Sequence, residues 1–552
     1  MMELLAPAGS YEQAVSCLEA GANALYGGLT KWNARTRAVN FTLSQYKAVL
    51  ELCHGRNAKF YLTLNTLLRN EELDDVKTLF ESADFVLPDA VIVADIGLIL
   101  YLREHFPNLP LHLSTQGGAV CKEDLYFWKN LGITRIILAR ELTLSEIKEL
   151  KEQTQLEIEI FVFGSQCLSF SGQCLWGGIL HGSSGNRGRC IGMCRDIYSC
   201  NGKKGDLLYP KDINAVDILG KIADIGVCSI KIEGRLRSIE ETKKIVSFYR
   251  HSLNSLPNTE ENEKKLNYHG YLDNVVPVKN MFALENPRRL LKKNVPPKKH
   301  DIDVHIKQAE SVSSFSGKKL VFESDNMNDI MSAKENTILA YIYEIKKIKD
   351  FEEMLIAERK SLHTPIFYKL PILDFSGKYD CVLKKLQGHN IMLTKISQIS
   401  FIKNYDFGKI WADYTLNAWN DTALQFLSEN KIKAITVHPE LSIDYYANVK
   451  SYGMKINAIA SKKITLGYTR ACFGEMGLCD SKCENTDFSI KNCTRDYNLK
   501  ILCDNDFGYR SIQTEKYCEP TTNDYDFLNG WIVCKKEFDE KQIIPIYKEN
   551  VR

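Results

Sequence analysis

Short apolar runs alternate with amphipathic stretches through the first half of the chain, and the spacing of apolar positions switches each time from two residues to three or four. The runs are Glu3 to Ala6, Ala24 to Gly27, Lys59 to Asn65, Ala90 to Ala94, Leu111 to Thr115, Arg135 to Ala139, Glu157 to Phe163 and Ser229 to Glu233. Their length and β-branching predict buried strands. The stretches Tyr11 to Ala20, Leu73 to Ser82, Lys122 to Asn130 and Thr143 to Glu152 predict helices, and Ile239 to Tyr249 completes the last unit. Eight strand-then-helix units in about 250 residues have the number and size of an α/β fold of the (β/α)8 TIM-like barrel type, and outnumber the strands of a doubly wound open sheet.

A second series of short runs begins near Lys319: Leu320 to Glu323, Thr337 to Ile342, Ile366 to Leu370, Ile391 to Thr394, Lys409 to Ala412, Ala434 to His438 and Lys455 to Ala460. It predicts a second, smaller α/β barrel-like domain. Between the two series the chain turns polar, with Pro257, a Glu-rich run, Pro277 and a basic stretch from Arg288 to Lys299. Prolines among charges read as an extended linker, and the stretch lacks the interleaved aromatics of a nucleic-acid stacking platform. The expected domains are 1–253 (barrel with cysteine loop), 254–315 (connector) and 316–552 (second α/β domain with its own cysteine cluster).

The chemistry concentrates after the seventh run. Cys167, Cys174, Cys190 and Cys194 follow it at spacings C-x6-C-x15-C-x3-C in a loop rich in glycine. Soft thiolates at such spacing select iron–sulfur or zinc, and glycine lets backbone amides approach cluster sulfurs. A structural zinc site would more often show two short cysteine knuckles, and only Cys190 and Cys194 are close, so iron–sulfur ranks above zinc and above a disulfide. Cys200 lies in the same loop as a substitute fourth ligand. Cys228 precedes the eighth run and belongs at the opposite end of the barrel, and Cys17, Cys53 and Cys121 fall in helical segments, so these read as packing residues.

Barrel enzymes carry their chemistry on the loops after the strands. The polar residues there are Asn33, Arg35 and Arg37, Asn65, Asp95, Gln116, Arg140 and Glu141, and Glu233, Arg235 and Arg237. About half of these are expected to cap helices or form ion pairs; Asn33, Arg35 and Gln116 do not look like helix starts and rank higher as ligand contacts. The rest of the composition changes little: 552 residues, 44% hydrophobic, 25% charged and a formal net charge of +2 describe a soluble globular protein without a large basic footprint. The N-terminus has no signal-like region and no apolar run reaches membrane-spanning length, so the chain is expected in the cytoplasm without membrane insertion, where seventeen cysteines favour ligation or burial over disulfides.

Several blocks together carry a resemblance: Met2 to Gly9, Asn33-Ala34-Arg35 with Asn40-Phe41-Thr42, His112 to Gln116, Glu159 to Cys167, and Ser229 to Arg235. In this order they resemble the signature blocks of the collagenase-like U-32 peptidase family. Despite that name, the resemblance implies oxygen-independent hydroxylation: relatives hydroxylate a transfer-RNA uridine or a ribosomal-RNA cytidine, or act as a pair in anaerobic ubiquinone biosynthesis. It further implies a 4Fe-4S cluster held by Cys167, Cys174, Cys190 and Cys194, with prephenate as a co-substrate that supplies oxygen. On this reading Asn33, Arg35, Gln116 and Arg235, with Glu233, form the catalytic constellation, because guanidinium groups pair bidentately with a carboxylate co-substrate.

The second series also ends in cysteines. Ile464 to Arg470 leads to Cys472, Cys479, Cys483 and Cys493, spaced C-x6-C-x3-C-x9-C, with Cys503 and Cys518 as alternative fourth ligands. The block resembles the cysteine block of the partner subunit in the ubiquinone pair and implies a possible second cluster, with zinc as an alternative at this site. Cys381 and Cys534 read as core. Rival functions are peptide hydrolysis and a non-catalytic maturation scaffold, but no His-Glu-x-x-His or Gly-x-Ser-x-Gly pattern is present. The substrate stays open between RNA, a peptide and a small aromatic molecule, with an electron donor as a possible partner; the oligomeric state is not readable.

Overall fold

The computed structural model describes residues 2–210, 212–256, 319–332, 338–361, 364–375, 377–471, 473, 488–503, 506–507, 509–514, 517–520, 528–533 and 543–546. The connector from 257 to 318 with its basic stretch, and Cys472, Cys479, Cys483 and Cys534, lie outside the described residues. The chain forms two compact units: Met1–Gly172 with Gly185–Cys190 and Leu208–Lys293, and Gln173–Ser184 with Ile191–Leu207 and Asn294–Arg552. The cysteine loop is therefore divided between them, Cys167 and Cys190 in the first unit, Cys174 and Cys194 in the second.

All eight runs of the first series are strands. β1 (Glu3–Pro7), β2 (Ala24–Gly27), β3 (Lys59–Leu64), β4 (Ala90–Val93), β5 (Leu111–Leu113), β6 (Arg135–Ile137) and β7 (Glu157–Gly164) come first. β8 (Tyr198–Cys200) and β9 (Lys203–Gly205) belong to the second unit; β10 (Ile213–Asn214) and β11 (Ser229–Ile232) return to the first. The parallel order β7-β11-β1-β2-β3-β4-β5-β6 is closed by pairing of β6 with β7, and β10 lies antiparallel against the end of β7. This is the expected barrel. Helices start where a side chain caps the free amides: Ser10, Thr42, Thr143 and Ser238 each accept from a backbone N–H three residues on, worth about 1 kcal/mol apiece. Asp95 caps the helix Ile96–His105 in the same way. Inside the barrel Leu5, Ala24, Tyr26, Tyr61, Ala90, Ile92 and Ile137 pack with Phe161, small residues facing rings.

The second unit contains its own closed parallel barrel. β12 (Leu320–Ser324), β13 (Ile338–Glu344), β14 (Ile366–Lys369), β15 (Asn390–Leu393), β16 (Ile410–Ala412), β17 (Ile432–Thr436) and β18 (Lys455–Ser461) match the seven runs of the second series. β19 (Thr465–Thr469), β20 (Phe488–Asn492), β21 (Tyr497–Leu502) and β22 (Arg510–Thr514) follow, then β23 (Tyr517–Pro520), β24 (Leu528–Val533) and β25 (Ile543–Ile546). The eighth barrel place is taken by β24, between β18 and β12. Here structure and pattern part. The run from Ile464 looked like a repeat of the strand that precedes the first cysteine loop, yet it pairs antiparallel with β22 in a separate sheet of order β19-β22-β21-β20-β8-β9. Connections between the antiparallel neighbours β20, β21 and β22 need only short turns, which helix-bearing parallel units cannot use.

The second barrel's core is Val321, Ala340, Ile342, Phe367, Met392, Trp411, Ala434 and Ile532, with the Phe367 and Trp411 rings stacked 3.7 Å apart. Two residues further along the same strands, hence on the same face, stand Glu323, Lys369 and Asp413. Lys369 Nζ lies 3.0 Å from Glu323 and 2.8 Å from Asp413, and Lys462 reaches Glu323 at 2.5 Å, all buried. Among the described residues no helix is long and apolar enough to cross a membrane.

Candidate active site at the mouth of the first barrel

The loops after β2, β3, β5, β6, β7 and β11 enclose a cavity of ≈ 70 Å³ lined by Tyr26, Arg35, Thr63, Asn65, Ser114, Gln116, Arg140, Phe161, Cys167, Lys231, Glu233 and Arg235, among others. Four of the five predicted catalytic residues, Arg35, Gln116, Glu233 and Arg235, thus meet Cys167 in one cavity. Asn33 stands behind it. Its buried amide donates to the Leu29 carbonyl at 2.6 Å, and its Oδ1 accepts from the Arg35 N–H at 2.9 Å and from Arg235 Nη1 at 3.1 Å. Asn33 positions the two arginines and is not among the residues lining the cavity.

Cations dominate the cavity. Arg235 is buried, donates to Asn33, Asn40 and Thr63 Oγ1, and has its pKa pushed down to about 10 by burial and by neighbouring Arg35, against a raising effect from Tyr26. Arg35 is half-buried with Nη2 3.9 Å from Glu233; burial works against its charge, but Glu233 and the thiols of Cys167 and Cys190 outweigh it and raise its pKa. Arg140 lies 4.1 Å above the Phe161 ring and donates to the Ser165 carbonyl at 3.1 Å and to Cys167 Sγ at 3.5 Å.

Sequence reasoning missed Lys231. Its Nζ sits 2.9 Å from Glu159 Oε1 and 4.2 Å from the Tyr26 ring centroid, on the floor of the cavity. Burial lowers its pKa, with Glu159 opposing that shift. Beneath, Glu159 also faces Arg135 at 3.4 Å, and Arg135 reaches Glu3 at 2.6 Å. The signal was available: Lys231 and Glu159 interrupt runs that are otherwise apolar, which a buried strand tolerates only for paired charges.

The remaining cysteines divide. The segment bearing Cys174 is seated on the second unit: Gln173 Nε2 donates to the Thr415 carbonyl at 3.0 Å, the Leu175 N–H to Leu466 at 2.9 Å, and Ser184 Oγ to Glu440 Oε2 at 2.8 Å. Cys194 stands in the 3-10 turn Met193–Arg195. Cys190 is exposed. Cys200 is buried in the antiparallel sheet with its Sγ 3.5 Å from the Ser489 carbonyl, which argues for packing. Cys493 Sγ lies 3.3 Å from Ser199 Oγ. Cys228 bonds Ile158 at the strand N-termini, its thiol pushed up to about 12 by burial. Among the described residues no three His, Cys, Asp or Glu side chains converge closely enough to hold a metal.

This barrel, with cysteines after its seventh strand and arginines around its mouth, defines the class, and comparison with known sequences gives the family. A family model described as Peptidase family U32 matches residues 9–292, just over half of the 552-residue chain, and the chain belongs to that family. The tRNA hydroxylation protein P1 of Bacillus subtilis is 34% identical over 261 residues, covering 45% of this chain and 62% of the relative. A 23S rRNA 5-hydroxycytidine synthase of Escherichia coli is 35% identical over 262 residues, 46% of this chain and 40% of the relative. A collagenase of Porphyromonas gingivalis is 30% identical over 285 residues, 48% and 68% respectively. The chain thus spans less than two thirds of the first two of these relatives.

Proposed function

We propose that the protein is an enzyme that hydroxylates a base in RNA without molecular oxygen, using a 4Fe-4S cluster held by Cys167, Cys174, Cys190 and Cys194. The observation that carries this reading is the cavity in which Cys167 meets Arg35, Arg140 and Arg235. The donor set fits an iron–sulfur cluster chemically, since soft thiolates beside guanidiniums are its usual ligands. Bound there, the cluster would supply one-electron redox chemistry.

The chain's own residues would do the rest. Arg35, Arg140 and Arg235 would bind the carboxylates of an anionic co-substrate, with prephenate as the proposed oxygen source. Glu233 would keep Arg35 aimed at the cavity, while Asn33 ties Arg35 to Arg235. Gln116 and Asn65 would present amide groups to the edge of the base. Lys231, held by Glu159, would keep the cavity floor positive. A second cluster or a zinc at Cys472, Cys479, Cys483 and Cys493, a cytoplasmic location and an electron-donor partner belong to the same proposal.

The collagenase relative supports a second reading, peptide hydrolysis. It would require a catalytic zinc at the cysteines or Cys167 as a nucleophile, and among the described residues the cavity lining contains no histidine to activate that thiol. The two readings separate in one experiment: nucleoside mass spectrometry of transfer and ribosomal RNA from cells lacking the gene, complemented with the wild type or with Cys167→Ala. The proposal predicts a hydroxylated pyrimidine nucleoside restored only by the wild type. Unchanged RNA, with peptide cleavage by the purified wild type lost in Cys167→Ala, would refute it.

A further inference from the structure

A basic face stands on the antiparallel sheet of the second unit, and the chemistry proposed at Arg35, Gln116, Arg140, Glu233 and Arg235 uses none of its residues. The β8–β9 hairpin turns at Asn201 and Gly202, whose φ of 47° and 76° make the tight left-handed turn that fixes two strands in register. Its two lysines, Lys203 and Lys204, are exposed. Register then builds a row across four strands: Lys204 opposite Ser199, Ser199 opposite Lys491, Lys491 opposite Asn498. The other face of these strands is core, with Tyr198, Ile490, Asn492 and Leu499 fully buried. The sheet is thus anchored on one side and displays Lys204 and Lys491 on the other, with Lys203 at the end of the hairpin bordering the same groove.

The lysines border a groove of ≈ 430 Å³ whose lining includes Ser199, Asn201, Ser489 and Asn498 and, among the described residues, contains no Asp or Glu. Among the described residues Lys491 pairs with Asp496 at 2.8 Å, but both side chains are more than half exposed, and such a pair is weak enough for a polyanion to displace. Among the described residues no aromatic side chain lines the groove, so they build no stacking platform for bases. Ammonium groups with hydroxyl and amide donors on a rigid sheet match the phosphodiester backbone, whose contacts position a nucleic acid without reading its sequence. With a net charge of only +2 for the whole chain, this is a local concentration of charge assembled from residues nearly 300 positions apart.

We infer that this groove, around Lys203, Lys204 and Lys491, is a docking surface for the phosphate backbone of the RNA substrate; the inference rests on the RNA reading proposed above. The test is filter binding of the full-length protein to unfractionated transfer RNA across a potassium chloride series, with the triple variant Lys203→Glu/Lys204→Glu/Lys491→Glu and the milder Lys→Gln triple. The variants should weaken binding by about tenfold or more at moderate salt and flatten the slope of log K against log salt by roughly two to three, the loss of about three phosphate contacts. Because all three side chains are exposed, melting curves should match the wild type. If both triples bind transfer RNA as tightly as the wild type with the same salt slope, the docking surface is refuted while the RNA reading stands. If the wild type itself binds no RNA, both fall. Binding of polyglutamate but not transfer RNA at this face would overturn the inference in favour of an acidic protein.

Discussion

Replacing Glu159 by glutamine should unsettle the floor of the first barrel more than any surface change. Glu159 has no solvent-exposed surface, and its carboxylate is shared by Lys231 at 2.9 Å, itself 4% exposed, and by Arg135 at 3.4 Å. Arg135 keeps Glu3 at 2.6 Å and Glu157 at 2.9 Å, so the orphan left by the substitution is the Lys231 ammonium. Breaking a buried pair by removing one partner costs about 3–5 kcal/mol, whereas replacing both partners by apolar residues is often close to neutral. Glu159→Gln should therefore lose about 3 kcal/mol or more by urea unfolding monitored through hydrogen exchange of β7 and β11 amides, and Glu159→Leu/Lys231→Met should regain most of it. The pH dependence has a definite sign. Burial holds the folded Lys231 pKa below that of a free lysine, so between those two values the unfolded chain binds more protons and stability rises with pH. Losing Glu159, which opposes the shift, widens that window downward, and Glu159→Gln should recover part of its lost stability as pH rises and Lys231 sheds its charge. A cost below about 1 kcal/mol with no such recovery would refute the buried-pair argument.

Three further outcomes follow from particular contacts. Gly172 has a φ of +83°, and a Cβ there would lie 2.0 Å from the Gln116 carbonyl oxygen; Gly172→Ala should cost about 2 kcal/mol or more, and a melting temperature equal to wild type would contradict it. In the second barrel, Lys369 and Lys462 outweigh burial and hold the Glu323 carboxylate down to about 2, so its stabilisation is complete above pH ~4.5 and is lost as pH falls toward 2; acid unfolding of Glu323→Gln should be flatter across that interval. Arg35→Ala should leave the melting curve nearly unchanged, since the side chain is 30% exposed, yet lower the proposed RNA hydroxylation by about a hundredfold; full retention of the modification would remove Arg35 from the site.

Both barrels were legible because buried parallel strands read as short, mostly apolar runs, and the chain supplies fifteen of them, from Glu3 to Lys455. The sixteenth strand, Leu528–Val533, was not: a long excursion separates it from β18, and nothing local states that it returns to a barrel. Spacing could not distinguish β19 from a barrel strand either, because pairing partners are set by register and not by propensity. Arg35, Gln116, Glu233 and Arg235 were readable from their places just past strand ends. Asn33 was read as a ligand contact because sequence does not show that its amide is used up by Leu29, Arg35 and Arg235. Lys491 joins Lys203 and Lys204 only through the cross-strand register of β8 and β20, which no linear motif records.

The central claim is that the cysteines after β7 hold an iron–sulfur cluster. Iron, sulfide and zinc should be quantified in anaerobically purified full-length protein alongside a Cys167→Ala/Cys190→Ala variant. About four iron and four sulfide per chain with a broad visible absorption, rising to about eight if the second cysteine set also binds a cluster and falling by about four in the variant, is the predicted result. Zinc without sulfide, or iron content indifferent to Cys167 and Cys190, would contradict it.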